Sequence, residues 1–339
     1  MLPALVIGGS IFFGCSLLNG AHALELVKPD SSLALCPGGG MPAGLKLPSF
    51  SQLGEDQKAI TLLGPKVGGT FIETGAYNGL YMSNTKLLEY AFGWSGLLVE
   101  MVPKHFHELR QYRSERSVPL HSAVCEGAPR MLNFSEAIGS SSVEDRQVQT
   151  ARQQRRTSKV PCDSLGAMAR RAGLEAVDFM SIDVEGYELE VLRSFDWTIP
   201  VSVVVVEVFQ LSKETLQAVV ELLRDKGHLE EVDAGACAWR GEPGKSRRMC
   251  KGNENKWFVS AELAARYRAL PAAAKDSPQV FYDEYTYVGE ATTELNQPHA
   301  RPKPGAPHLP VAHPEYAGVR GATWRDSLSP GKWTCPSPP

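Results

Sequence analysis

The stretch at 71–85, FIETGAYNGLYMSNT, joins an acidic residue to a glycine turn in a way that suits a charged cofactor. Glu73 ends an apolar run, and Gly75 and Gly79 follow it with the spacing G-x-x-x-G. A dinucleotide-binding turn has the spacing G-x-G-x-x-G, in which the middle glycine lets a pyrophosphate approach the backbone. The bulky Tyr77 occupies the middle of the present turn, and the carboxylate before it would repel a phosphate at short range. The pattern therefore favours a cationic cofactor without phosphates.

Glu100 ends the next apolar run, GLLVE, roughly 20 residues after the glycine turn, where an acidic residue hydrogen-bonds ribose hydroxyls in nucleotide-binding folds. A carboxylate suits this role because it accepts two hydroxyl protons at once. The other interpretation of Glu100 is that it only caps the following helix. Taken with Glu73 and the turn, Glu100 indicates a nucleoside cofactor that carries positive charge. S-adenosylmethionine fits, because it has both a sulfonium and an amino group.

A second group of acidic residues, in SIDVEGYE, follows a buried apolar run. Asp183 and Glu185 are expected at the carboxyl end of a strand, the edge where ligands bind in open α/β sheets. Three interpretations remain open. Asp183 removes or orients the proton of an acceptor hydroxyl; Asp183, Glu185 and Glu207 bind a divalent cation that acidifies the hydroxyl; or Glu185 caps a helix that starts near Gly186.

Alternating strands and helices must position these residues. Besides a short extra strand at 130–134 and the runs HLEEVDA and NKWFVSAEL that close the sheet, five apolar runs from Gly69 onward are predicted as strands: GTFIETG, GLLVE, PLHSAVC, VDFMSID and VSVVVVEV. The last, at 201–208, is a continuous β-branched run, which is typical of a parallel strand buried on both faces. Helical spacing separates the runs, and Glu188 and Glu190 are predicted to lie on the surface of one helix. The alternation predicts a doubly wound, mostly parallel α/β sheet with helices on both faces.

The regular strand–helix pattern covers only part of the 339 residues, and the chain is predicted to have four segments. Residues 1–23 are predicted as a signal peptide or signal-anchor, 24–54 as a linker, 55–290 as the folded domain, and 291–339 as a proline-rich, disordered tail. The first segment is apolar and ends in Ala-His-Ala, a cleavage pattern of secretory signals. The expected location is therefore the secretory pathway, with a membrane anchor only if the segment stays uncleaved. A transit peptide and an unprocessed helix are the remaining interpretations.

The cysteines fit an oxidising compartment. Six remain if the segment 1–23 is removed, and an even number permits complete pairing. Cys237 and Cys250 flank a turn-rich stretch and are predicted to form a disulfide bond. Cys125 and Cys162 lie in apolar contexts and are predicted to be buried free thiols.

Net charge and motif content exclude other classes of partner. The formal net charge is -3, so no global positive field exists to attract nucleic acid. No C-x-x-C pair is present, which leaves a zinc or redox motif unsupported. Asn133-Phe134-Ser135 is a glycosylation sequon, usable only if the chain enters the secretory pathway.

The order of these motifs resembles the FkbM family of S-adenosylmethionine-dependent methyltransferases. The matching blocks are FIETGAYNGLYMSNT, LLVEMVPKHFHELR, HSAVC, VPCDSL, VDFMSIDVEGYELEVLRSFDW and VVVVEV, within about residues 68–262. The most specific of them is VDFMSIDVEGYELEVL. The resemblance implies a class I methyltransferase (Rossmann-like) fold. It also implies transfer of a methyl group to a hydroxyl, often on a sugar or a polyketide.

The resemblance further implies roles for individual residues. Those that would line the methionine and ribose side of the cofactor are Glu73, Gly75, Asn78 and Gly79. Glu100 would bind the ribose hydroxyls, and Ser122, at the end of the third strand, would lie near the adenine. This sequence has glutamate at position 73, where the family more often has aspartate, and the carboxylate should keep its role.

The sequence therefore predicts an S-adenosylmethionine-dependent O-methyltransferase that acts on a sugar or glycoconjugate hydroxyl. Asp183 and Glu185 are its predicted catalytic residues, and no metal is assigned. One alternative is a catalytically silent lumenal protein that keeps the fold and serves as a binding or trafficking partner. Another is a nicotinamide oxidoreductase, which the missing G-x-G-x-x-G spacing disfavours.

Overall fold

The computed structural model describes residues 49–136, 142–143, 156–233, 237–240, 247–250, 255–270 and 275. The predicted signal peptide (1–23) and proline-rich tail (291–339) lie outside the described residues, so both stay predictions. Within the described part of the chain, no helix is both long and apolar enough to cross a membrane.

The described residues form seven helices and thirteen strands. The helices are α1 (Glu55–Leu63), α2 (Lys86–Phe92), α3 (Pro103–Tyr112), α4 (Leu165–Arg171), α5 (Glu188–Ser194), α6 (Lys213–Asp225) and α7 (Ala261–Ala269). The strands are β1 (Thr70–Thr74), β2 (Ser95–Glu100), β3 (Ser117–His121), β4 (Ala123–Val124), β5 (Arg130–Glu136), β6 (Ser142–Val143), β7 (Arg156–Asp163), β8 (Val177–Ile182), β9 (Val201–Glu207), β10 (Leu229–Val232), β11 (Cys237–Arg240), β12 (Arg247–Cys250) and β13 (Asn255–Ser260).

Seven strands form the main sheet, in the order β10-β13-β9-β8-β1-β2-β3. Neighbouring strands from β9 to β3 are parallel, whereas β13 is antiparallel to both β9 and β10. The chain runs outward from β1 to β3 and later returns to β8 on the other side of β1, so the strand order reverses between β1 and β8. Ligands bind at such a reversal, beyond the carboxyl ends of the strands. The predicted class I methyltransferase (Rossmann-like) fold, doubly wound and mostly parallel, is confirmed.

Side chains of the central strands alternate between two hydrophobic cores, one on each face of the sheet. On one face, Ile72 and Met180 pack with helices α4, α5 and α6. On the other face, Phe71 and Phe179 pack with α1, α2 and α7. All four side chains are fully buried. Burial on both faces explains why these strands read as continuous apolar runs in the sequence.

The third predicted strand, 119–125, is divided in the structure. β3 ends at His121 and stays in the main sheet, whereas β4 pairs with β7 in a second sheet of order β4-β7-β5-β6. Ser122 lies between the two, and its N–H donates to the carbonyl of Glu100 (3.1 Å). The chain thus leaves the main sheet at its carboxyl edge, next to the end of β2.

The prediction of free thiols at Cys125 and Cys162 is wrong, because the two form a disulfide bond with a Cα–Cα distance of 5.7 Å. Parallel pairing of β4 with β7 brings them together, and both are buried. Apolar surroundings suit a buried disulfide as well as a buried thiol, so sequence context alone could not separate them. For Cys237 and Cys250, the backbone register of β11 and β12 makes the two residues partners, and their disulfide stays a prediction.

Candidate active site

Gly75 begins the turn after β1 and lies against the end of β8. Its φ is +73°, a conformation that glycine adopts without strain. A Cβ at this position would lie 1.8 Å from the carbonyl oxygen of Asp183, so a larger residue would separate the two strand ends. The N–H groups of Gly75 and Ala76 both donate to the carbonyl of Val99 (3.0 and 3.1 Å), which ties the turn to β2. The backbone of Gly75 is exposed at this edge of the sheet.

Asn78 and Gly79 shape the rest of the turn. The Oδ1 atom of Asn78 accepts the backbone N–H groups two and three residues further on (3.1 and 2.8 Å). Gly79 also has a positive φ of +73°, and a Cβ there would lie 2.9 Å from Cγ of Arg113. Both predicted cofactor residues therefore have contacts that fix the turn, and their contact with a cofactor stays a prediction.

Glu73 is 3% exposed and accepts several hydrogen bonds. Its Oε2 atom accepts from the hydroxyls of Ser83 (3.0 Å) and Thr85 (2.6 Å), and its Oε1 atom accepts from the N–H of Asn84 (2.7 Å). Burial raises the pKa of Glu73, and the Arg113 guanidinium at 3.8 Å lowers it in part. These contacts make Glu73 a positioning residue for the segment that carries Asn84, and its direct contact with a cofactor stays a prediction.

Arg113, a buried residue that the sequence analysis missed, links the glycine turn to helix α2. Its guanidinium donates to Glu89 (3.0 Å), to the carbonyl of Gly79 (3.1 Å), and to the hydroxyls of Ser83 (3.0 Å) and Thr85 (2.7 Å). Burial raises the pKa of Glu89, but the charges of Arg113 and of the nearby Lys86 amine lower it by more. The pKa of Glu89 is therefore lowered to about 2. Glu89 is therefore charged at neutral pH.

Glu100 lies where the sequence predicts it, at the end of β2 beside the turn. Its Oε2 atom accepts the N–H of Tyr77 (2.9 Å), and its Oε1 atom accepts the N–H of Val102 (2.7 Å). The residue is 6% exposed, and burial raises the pKa of its carboxyl to about 7. The backbone bond to Tyr77 couples the carboxyl to the shape of the turn.

Ser122, predicted to lie near an adenine, is buried behind the end of β3. Its hydroxyl lies 2.9 Å from the carbonyl oxygens of both Ala123 and Pro161 and can donate its one proton to either. The hydroxyl thus joins the main sheet to the second sheet, and a role in adenine binding stays a prediction.

Asp183 directly follows β8 and Glu207 is the last residue of β9, and their side chains are hydrogen-bonded to each other. Burial among protein atoms raises the pKa of Asp183 well above its usual range, and the carboxylates of Glu207 and Glu185 raise it further. The side chain is nevertheless exposed, because it lines a recess that opens to solvent. A hydrogen-bonded carboxyl pair of this kind shares one proton.

The recess contains about 430 Å³ of empty space, part of it open to solvent. Its polar lining includes Gln52, Glu55, Asn84, Asp183, Glu207 and Asn255. No lysine, arginine or histidine lines it among the described residues. The Nδ2 atom of Asn84 donates to the hydroxyl of Ser181 (2.9 Å), so the segment held by Glu73 forms one wall. The recess is therefore acidic and hydrogen-bonding in character.

The loop after Asp183 differs from its prediction. Glu185 has a φ of +57° and accepts a hydrogen bond from the side chain of Gln210. Helix α5 begins at Glu188, and the Oε1 atom of Glu188 accepts the N–H groups of Val184 (3.2 Å) and Gly186 (2.9 Å). Glu188 is 1% exposed, so the prediction that it lies on the surface is wrong. The interpretation that Glu185 caps this helix is wrong, because the N-cap residue is Tyr187 and no side chain caps the helix.

The acidic residues of the recess do not form a metal-binding group. Within the described ranges, no set of three or more His, Cys, Asp or Glu side chains is arranged to hold a metal ion. The interpretation of Asp183, Glu185 and Glu207 as ligands of a divalent cation therefore has no support from the arrangement of their side chains.

Residues 73–229 match the family model of the methyltransferase FkbM domain, a range that extends from the glycine turn to the start of β10. No curated protein sequence matched the chain. Among solved structures, precorrin-6y C5,15-methyltransferase from Geobacter metallireducens GS-15 is similar at 13% identity and a TM-score of 0.32, covering 66% of this chain and 98% of that one. An O-methyltransferase from Bacillus cereus in complex with SAH is similar at 11% identity and a TM-score of 0.33, covering 64% and 86%. At these values the structural similarity carries no argument about this chain's activity, and its similarity to the FkbM methyltransferase family rests on the domain match at residues 73–229.

Proposed function

We propose that the chain binds S-adenosylmethionine and transfers its methyl group to a hydroxyl of an uncharged, polyhydroxylated acceptor, such as a sugar or a glycoconjugate. The observation that carries this proposal is the hydrogen-bonded pair of Asp183 and Glu207, which lines an open recess beside the glycine turn. Gly75 packs directly against the backbone of Asp183. A group that can accept a proton is thus available next to the expected cofactor.

The ends of β1 and β2 fit a nucleoside cofactor. The backbone of Gly75 is exposed there, and Glu100 ends the adjacent strand. Both carboxylate oxygens of Glu100 accept backbone N–H groups, and the remaining acceptor capacity of the carboxylate suits a ribose hydroxyl. When bound, S-adenosylmethionine supplies a methyl group on a positively charged sulfur. The task left to the chain is to orient the acceptor and to take its proton.

Asp183 is the proposed proton acceptor. A carboxyl group whose pKa is raised is a stronger base when it is ionised, which favours removal of a hydroxyl proton. Glu207 orients the Asp183 carboxylate through their shared hydrogen bond. Glu185, which the sequence predicted as catalytic, acts in this proposal through its charge, since its carboxylate contributes to the raised pKa of Asp183.

The charge of the recess supports an uncharged acceptor. Three carboxyl groups line it, those of Glu55, Asp183 and Glu207, and no cationic side chain of the described residues lies among them. A phosphate or carboxylate on the acceptor would be repelled at this distance. Hydroxyl groups can donate to carboxylates and accept from protonated carboxyls or amides, so a polyol matches the lining.

Calorimetry and methyl-transfer assays test the proposal. S-adenosylmethionine and S-adenosylhomocysteine should bind the full chain, whereas NAD should not. Glu100→Ala should weaken binding of S-adenosylhomocysteine about tenfold or more, because a buried acceptor for two hydroxyls is lost. Asp183→Asn should keep that binding and lower methyl transfer to a neutral methyl glycoside by about 10²–10⁴-fold.

The matched control is Glu175→Gln, at the opposite end of β8, where the side chain is exposed. It should change neither binding nor transfer. Failure of both sulfur nucleotides to bind would overturn the proposal. Binding of S-adenosylhomocysteine without transfer to any hydroxyl acceptor would favour the catalytically silent alternative.

The proposed location is the secretory pathway. The Cys125–Cys162 disulfide supports it, because such bonds persist in oxidising compartments. The side chain of Asn133, the sequon residue, is exposed on β5 and open to glycosylation. A tagged full chain should lose mass on glycosidase treatment, and Asn133→Gln should remove that change. A tagged chain that stays in the cytosol would contradict the proposal.

A further inference from the structure

The recess is not built by the matched FkbM domain alone. Asp183 and Glu207 belong to the matched range, 73–229. The lining also includes Glu55, at the start of α1, and Asn255, at the start of β13, and both lie outside that range. Part of the lining is thus supplied by segments that precede and follow the domain match.

Asn255 is fixed between Glu207 and Glu55. In the antiparallel pairing of β9 with β13, Asn255 is the direct Cα partner of Glu207. Its side-chain Nδ2 atom donates to the Oε1 atom of Glu55 across 2.7 Å. The other oxygen of Glu55 accepts the N–H of Leu53 (2.7 Å), so the carboxyl group is held from both sides. The residues form a row from the sheet to α1.

We propose that Glu55 and Asn255 bind hydroxyl groups of the acceptor other than the one that is methylated, and so select a polyol with neighbouring hydroxyls. The inference rests on the proposed function, since it assigns the acceptor to the same recess. A carboxyl beside an amide combines hydrogen-bond acceptors with donors in a fixed arrangement. Asp183 and Glu207, which line the same recess, remain available for the reacting hydroxyl.

Burial supports this role. Glu55 is 2% exposed although it lines the recess, so a hydrogen bond from an acceptor would form in a partly dehydrated place and contribute more than one in water. Burial also raises the pKa of Glu55 to about 7, which lets the carboxyl donate or accept near neutral pH. Gln52 adds a further amide to the same lining.

The competing explanation is that the Glu55–Asn255 bond only anchors α1 to the sheet. Asp56 provides a matched control, because it anchors the same helix without lining the recess. Its carboxylate accepts from Ser49 (2.7 Å), from Ser51 (2.9 Å) and from the N–H of Phe50 (2.7 Å), and it is fully buried. An anchoring effect should therefore be seen in Asp56→Asn as well.

The experiment uses the full chain and three uncharged probes: the methyl α-glycosides of glucose, mannose and galactose. Binding to the chain saturated with S-adenosylhomocysteine is measured by saturation-transfer NMR, and methyl transfer is measured from labelled S-adenosylmethionine. Glu55→Gln and Asn255→Ala should each raise the KM or Kd of the bound glycoside about tenfold, the loss expected for one buried hydrogen bond. Their kcat and their affinity for S-adenosylhomocysteine should stay close to wild type, and Asp56→Asn should leave the glycoside KM unchanged.

Three results would overturn the inference while leaving the proposed function intact. One is an unchanged glycoside affinity in both recess variants, and another is the same KM change in Asp56→Asn. The third is wild-type chain that binds S-adenosylhomocysteine but none of the three glycosides. If the wild-type chain binds no S-adenosylhomocysteine, the proposed function itself fails and the inference falls with it.

Discussion

Two groups of carboxyls lie near the carboxyl edge of the main sheet, and they differ in what surrounds them. The Arg113 cluster consists of Arg113, Glu73, Glu89, Ser83 and Thr85. The recess cluster consists of Asp183, Glu207 and Glu55. In the first, a guanidinium and two hydroxyls donate to the carboxylates. In the second, the described lining offers carboxyl, amide and hydroxyl groups but no cation.

The difference shows that burial alone does not decide what a carboxyl does. Burial raises the pKa in both clusters, but Arg113 brings Glu89 down to about 2, whereas other carboxylates push Asp183 higher still. Glu73 is intermediate, because Arg113 is 3.8 Å away and burial outweighs it. Paired charges of the first kind hold a structure together, and unpaired carboxyls in a cleft are suited to proton transfer.

Removal of Arg113 has the largest expected effect and tests the first half of the comparison. Arg113→Met leaves Glu89 buried without its guanidinium, which should lower the free energy of unfolding by about 3–5 kcal/mol. Urea unfolding at pH 7 measures the loss. Arg110→Met, at an exposed position in α3, the helix that ends just before Arg113, should change stability by less than about 0.5 kcal/mol. Equal stability of the two variants would contradict a structural role for the cluster.

The free energy of unfolding should depend on pH in opposite directions for carboxyls with a raised pKa and for carboxyls with a lowered pKa. Folded pKa values of Glu55 and Glu100 are raised to about 7, and that of Asp56 to about 6, chiefly by burial. The folded chain therefore holds these protons longer than the unfolded chain, so stability should fall as pH rises from about 5 to about 7. Glu89, whose pKa is lowered to about 2, has the opposite effect, and its contribution is lost as pH falls below its unfolded value of 4.5.

Glu55→Gln isolates the recess part of this dependence. The variant has no proton to lose at position 55, so the fall in unfolding free energy between pH 5 and pH 7.5 should shrink by about 2–3 kcal/mol. Urea unfolding at several pH values gives the slope of unfolding free energy against pH. A loss of stability that the glutamine side chain causes equally at every pH does not change this slope. Glu175→Gln, at an exposed position, should keep the wild-type slope. A wild-type slope in Glu55→Gln would show that position 55 is not a carboxyl with a raised pKa.

Much of the fold could be predicted from the sequence because its signals are local. A strand buried on both faces is apolar at nearly every position, so the run VSVVVVEV directly predicts β9. Gly75 and Gly79 likewise predict a turn. The structure explains the first of these glycines, because the backbone of Asp183 lies too close to position 75 for any side chain. The edge of the sheet that carries the site could be predicted in the same way, since Glu100 and Glu207 are the last residues of their strands and Asp183 directly follows β8.

The missed features depend on pairs of residues that are distant in sequence. Arg113 binds Glu89, which lies 24 positions away in the sequence, and Asn255 binds Glu55, which lies 200 positions away. No pattern in the neighbouring sequence indicates either pair. Glu188 has the type and spacing of a surface residue, but the loop before α5 folds over it. Single-sequence patterns report which face of an element is apolar, not which polar groups meet at its ends.

Glu188 gives the smallest expected effect and tests how far the recess cluster extends. Its Oε1 atom holds the N–H groups of Val184 and Gly186, while its Oε2 atom is buried without a hydrogen-bond partner. Glu188→Ala leaves two N–H groups unpaired and should cost about 1–3 kcal/mol of unfolding free energy. Glu188→Gln keeps an acceptor oxygen at the same place, so its stability should stay close to wild type.

The glutamine variant also removes a negative charge that raises the pKa of Asp183. The acid limb of the methyl-transfer profile should therefore move to lower pH in Glu188→Gln, and further in Glu207→Gln, because Glu207 contributes more to that pKa. Measurement of kcat/KM against pH with a neutral glycoside gives both shifts. Asp183 would not be the group that accepts the proton if the acid limb moved to higher pH in the variants. The same conclusion would follow if the limb lay at the same pH in wild type, Glu188→Gln and Glu207→Gln. The recess would then bind the acceptor without taking part in proton transfer.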